Sequence, residues 1–161
     1  SLRNKWHWTV STDPAQHTRR GIYIMVRRNF KFPMFEVFDT PITSVSCPVR
    51  DVTTVAPQAL WSLNNSSVIR QAIQLAGRVV KEAGQKSPAQ VQRAWQIVLS
   101  RAPTPEESTS ALALLDSLAK TSQTELENPP ETLKKLPPPH RRALAKLCLA
   151  LFNLNEFAFV D

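Results

Sequence analysis

The chain has 161 residues, of which 42% are apolar and 20% charged, and a net charge of +7. One hydrophobic core at this length buries roughly two thirds of the unfolded surface, so a single domain is expected. No run approaches the about 20 apolar residues of a membrane-spanning helix. Two cysteines about a hundred residues apart, with no Cys/His cluster at ligand spacing, argue against zinc or covalently attached haem within this chain.

The positive charge is unevenly placed. Residues 1–50 hold 8 basic and 3 acidic side chains and residues 51–161 hold 12 and 10, so the excess belongs to the N-terminal third. The chain opens without Met and without a charged-then-apolar leader, from which an origin inside a longer polypeptide is expected.

Residues 1–18 have no helical period and read as an irregular arm docked by Trp6 and Trp8; residues 19–161 read as one helical domain. Residues 22–26, β-branched, aromatic or apolar and bracketed by Arg pairs, suit a short buried strand, a helical turn being the alternative. Met34, Phe35 and Phe38 share one helical face between Pro33 and Pro41, which predicts a short helix. Residues 42–55 read as a long connection.

From Pro57 onward the ends of helices become legible. Pro57 suits the first position of a helix that stops at Asn64 and Asn65. The next starts near Ser67, carries the stripe Ile69, Ala72, Ile73, Ala76, Val79, Val80 and Ala83, and stops at Gly84. Ser87 with Gln90, and Thr104 with Glu107, have capping-box spacing ahead of the stripes Val91, Ala94, Trp95, Val98 and Ala111, Leu112, Leu115, Leu118, Ala119. Residues 120–136 read as a mobile surface loop with room for one helical turn. A last helix after the prolines at 137–139 carries Leu144, Leu147, Cys148, Leu151 and Phe152. The fold class expected is therefore mainly α: a bundle of about five helices with an irregular N-terminal third that has room for a short strand.

No arrangement of Ser, Cys or His with an orienting carboxylate marks a nucleophilic site, and His7, His17 and His140 are dispersed. Two clusters are candidates for binding. Arg19, Arg20, Arg27 and Arg28, interleaved with Tyr23, could hold phosphate or an acidic partner; alternatively they flank a strand and pair with Glu36, Asp39 or backbone carbonyls. Cys47, Arg50, Asp51, Thr53, Thr54 and Gln58 precede a helix start, where an anion or a sugar hydroxyl could be recognised; alternatively they knit a long loop to the core. For Cys148, which lies on an apolar stripe, a buried free thiol is favoured over a bridge to Cys47.

The succession RRGIYIMVRRN, FEVFDTP, CPVRDVTTVAPQALWSLNN, LSRAPTPEE and CLALFNLNEFAFVD, over residues 19–161, resembles the planctomycete-specific domain of unknown function that ends large cytochrome-c-associated polypeptides. The family-like positions include Arg101, Pro103, Thr104, Glu107, Asn153, Asn155, Glu156 and Phe157. The resemblance implies a C-terminal module of an exported, periplasmic or cell-surface protein, with no cofactor of its own and haem c in upstream domains. It carries over no catalytic residue. A non-catalytic interaction or scaffold module, with the upstream domains as partners, is the first expectation. Contribution to a carbohydrate-binding or polysaccharide-processing oxidoreductase site is the second, and binding of nucleic acid by a basic domain the third.

Overall fold

The computed structural model describes residues 11–25, 32–38, 56–121 and 125–158. The chain divides into two compact units, Ser1–Gln58 and Ala59–Asp161. Among the described residues there are eight α-helices and no strand, so the protein is mainly α.

In the first unit, Asp13 caps a 3₁₀ helix, Pro14–Thr18, by accepting from the Ala15 N–H at 3.0 Å. A second 3₁₀ helix spans Gly21–Tyr23, where the sequence favoured a buried strand over the helical turn that forms. The correction has a physical reason: β-branched residues favour a pleated, half-buried surface, and no partner strand is present among the described residues to supply one. Ile22, Tyr23 and Met25 are exposed instead, and Val26 lies outside the described residues. Helix α1, Pro33–Val37, forms where the apolar spacing predicted it. Phe35 meets Phe32 edge-on at 5.6 Å between ring centroids. A Cβ on Gly21 would sit 3.0 Å from the Phe35 ring, so glycine lets the second 3₁₀ turn lie against α1.

Helix α2, Ala56–Asn64, ends at Asn65, which caps α3, Ser66–Ala83, by accepting from the Ser67 and Val68 N–H groups at 2.9 and 3.4 Å. Gly84 terminates α3 at φ +74° and ψ −149°, a conformation open essentially to glycine alone and costing an L side chain about 1–3 kcal/mol. Helix α4 is Ser87–Leu99 and α5 is Pro105–Thr121. The Thr104 box forms as expected: Glu107 N–H donates to Thr104 Oγ1 at 3.2 Å, and Thr104 N–H donates to a Glu107 carboxylate oxygen at 2.7 Å. The Ser87 box does not. Lys86 holds the N-cap position, and buried Gln90 turns back so that its amide donates to the Gly84 carbonyl at 2.8 Å, stitching the end of α3 to the start of α4.

Residues 125–136 depart from the mobile surface loop expected there, although the helical turn allowed for them does form. The loop reading rested on their polarity, yet Leu133 and Leu136 are buried and Leu126 packs against the core. Helix α6, Glu131–Lys134, lies on α3 and α7. Thr132 Oγ1 donates to the Gly77 carbonyl at 2.9 Å, and Pro130 sits where a side chain at Gly77 would go. Residues 122–124 lie outside the described residues.

Helix α7, Pro138–Leu151, is the hub of the second unit, packing on α5 and α3, with α4 between α3 and α5. The short α8, Asn155–Ala158, reaches α4. The core is built from the predicted stripes: Ile73, Val79 and Val80 of α3, Val91 and Trp95 of α4, Leu115 of α5, and Leu144, Leu147, Cys148 and Leu151 of α7. Each fully buried large aliphatic side chain stabilises the fold by about 1.5–3 kcal/mol before entropy is charged against it.

Candidate functional site

The described part of the first unit presents a small surface of mixed chemistry. Arg19 and Arg20 are exposed. Next to them in sequence, Ile22, Tyr23 and Met25 are 81%, 71% and 67% exposed. The 3₁₀ turn arises because Tyr23 and Ile24 N–H groups donate back to the Arg20 and Gly21 carbonyls, both at 3.0 Å. The Arg19 guanidinium carbon lies 5.9 Å from the Tyr23 ring centroid, within cation–π range.

The second unit carries a groove of about 320 Å³ lined by Gln71, Gln74, Leu75 and Arg78 of α3, Ile97 and Val98 of α4, and Phe152 and Phe157. Most of its lining side chains are apolar or aromatic, and α3 contributes two amides and a guanidinium. The two phenylalanine rings lie 5.0 Å apart and tilted, and Phe157 is 45% exposed.

Arg101 fixes the α8 wall of that groove. The left-handed turn at Ser100, φ 58°, ends α4, and the Arg101 that follows sits between two carboxylates. Its Nη1 and Nη2 donate to both Glu107 oxygens at 2.7 Å, its Nε and Nη2 donate to both Glu156 oxygens at 2.7 Å, and Nη1 also reaches the Ala102 carbonyl at 3.1 Å. All five guanidinium N–H donors are used. The Arg101 guanidinium, with help from the Thr104 N–H, holds the Glu107 carboxyl down at about 2. It also lowers Glu156, while the two carboxylates raise Arg101 in return.

Of the residues singled out from sequence, Arg19, Arg20 and Tyr23 share the exposed turn, and Gln58 is buried in α2. Arg27, Arg28, Cys47, Arg50, Asp51, Thr53 and Thr54 lie outside the described residues. Cys148 is a free, buried thiol, and burial pushes it up to about 12. Sequence reasoning missed the groove and the Arg101 clamp as a site, although Arg101, Glu107, Glu156 and Phe157 stand among the family-like positions. The signal was there in two motifs, LSRAPTPEE and NLNEF, but nothing local says that residues 55 apart in the chain meet. Among the described residues no group of three or more His, Cys, Asp or Glu side chains could hold a metal ion, and no helix is long and apolar enough to cross a membrane.

Neither a curated protein nor a solved structure matches the chain. A family model does, from residue 3 to residue 115, ending inside α5 and so before α6, α7 and α8. That is well over half of the length, and the chain belongs to the PSD1 family, described as proteins of unknown function (DUF1553).

Proposed function

We propose that this chain is a non-catalytic docking module that packs against other domains of the same polypeptide through the basic, aromatic turn at residues 19–25. The observation that carries the reading is the exposure of Ile22, Tyr23 and Met25 directly beside Arg19 and Arg20. Contiguous apolar side chains left in water ordinarily mark a contact surface, and Tyr and Arg are the residue types that anchor interfaces. Contacts between domains of one chain are modest in area and more polar than permanent interfaces, which suits an apolar centre with an arginine edge. The resemblance to domains that end cytochrome-c-associated polypeptides supplies the partner class, the upstream domains, and an exported setting.

The groove favours a second reading. Aromatic rings beside paired amides suit the apolar faces and hydroxyls of a sugar, which would make the chain a contributor to polysaccharide binding.

Calorimetric titration of the chain against its own upstream fragment, and separately against a panel of neutral and acidic polysaccharides, tests both readings. The docking reading expects saturable heat with the fragment, abolished by Arg19→Glu with Arg20→Glu, and none with saccharides. Saccharide binding lost on Phe157→Ala, with no response to the fragment, would overturn it in favour of the second.

A further inference from the structure

A small cavity beside the start of α7, about 110 Å³, is lined by Glu125, Leu126, Pro129, Pro138, Arg141 and Arg142. Both arginines are half-buried. The Nε atom of each is buried and has no hydrogen-bond partner among the described residues. A guanidinium N–H taken from water and given no acceptor is costly, and Arg cannot relieve the cost by losing its proton.

Their position adds to the anomaly. The first turn of α7 carries His140 and Arg141 and no acidic side chain, Arg142 opens the second turn, and Pro137 at the N-cap offers no capping side chain. A helix N-terminus favours anions and disfavours cations. Pro138 and Pro139 lack N–H groups, so donors here must come mainly from the arginine side chains. Glu125 is the one carboxylate of the lining, and it is exposed and forms no ion pair with either arginine.

We propose that this cavity is a binding site for a tetrahedral oxyanion of the phosphate or sulfate class, held by charge-assisted hydrogen bonds from Arg141 and Arg142. Such a group supplies acceptors on several sides, matches the fork of two guanidinium planes, and is favoured by the α7 dipole. The volume suits one such group and is too small for a nucleotide. The cavity shares no lining residue with the groove, and the proposal stands whether or not the docking reading holds.

The test is a titration of the whole chain with inorganic phosphate, inorganic sulfate and a sugar phosphate monoester, at ionic strength held constant with sodium chloride, followed by calorimetry and by melting temperature. Saturable heat and a rise in melting temperature with phosphate or sulfate, absent with chloride alone, are expected. Arg141→Gln and Arg142→Gln, which keep most of each side-chain stem, should each weaken binding roughly tenfold. Glu125→Gln, on an exposed side chain that leaves folding intact, should tighten it. Tighter binding of the monoester than of free phosphate assigns the ligand to a terminal group on a larger molecule, and the reverse assigns it to the free ion. No heat beyond the chloride control, or undiminished binding in the folded double Arg→Gln variant, overturns the site.

Discussion

Arg101 is a residue whose role depends wholly on partners distant in sequence. Its guanidinium joins Glu107, at the start of α5, to Glu156 on α8, and lowers both carboxyls. A carboxyl whose folded value lies below its free value prefers the folded state when ionised. For Glu107 that preference is complete above about 4.5 and is lost as the pH falls toward about 2. Stability measured by urea unfolding should therefore drop between pH 5 and pH 2.5, with a smaller drop in Glu107→Gln; an identical pH dependence in the variant would remove Glu107 from the explanation. Because these groups are largely solvated, the effect is screened and should shrink with added salt. Cys148 makes the opposite case. Enclosed by the core and pushed up to about 12, its thiol should resist a disulfide reagent in the native protein and react once urea unfolds it. Prompt reaction without denaturant would contradict the burial.

At the scale of elements, what could be read from the sequence is what local chemistry controls. The α3 stripe, the Gly84 stop and the Thr104–Glu107 box each depend on residues within a few positions of one another, and each is found in the structure. Failures occur where a distant partner decides. Gln90 had capping-box spacing, but the Gly84 carbonyl left open at the end of α3 is the better acceptor for a buried amide. Residues 125–136 looked like solvent-facing loop because Lys, Glu and Pro separate their leucines, yet burial of Leu133 and Leu136 and the close approach to Gly77 fold them onto α3. That contact yields a sharp prediction. A Cβ at residue 77 would lie 2.5 Å from Pro130 Cγ, so Gly77→Ala should destabilise by about 1–3 kcal/mol in chemical denaturation, despite the better helix propensity of Ala. A neutral or stabilising result would mean that α6 is not seated there.

At the scale of the whole molecule, the helical class followed from periodicity and the candidate site only in part. Composition located the basic excess in the N-terminal third, and Arg19, Arg20 and Tyr23 do share one exposed turn. The turn was legible only as the alternative to a strand, because residues 22–26 have the composition of a strand and a sequence does not reveal the lack of a pairing partner. The groove was hidden for a related reason: its walls come from α3, α4 and the region after α7, which meet only once the core has formed. The central claim is that residues 19–25 are covered by a neighbouring domain of the same polypeptide, and amide hydrogen exchange compares the two situations directly. In the isolated chain the backbone around Ile22, Tyr23 and Met25 should exchange fast, and in the longer polypeptide that includes the upstream domains it should be strongly protected while α3 and α7 are unchanged. Equal, rapid exchange of this segment in both would contradict the docking account.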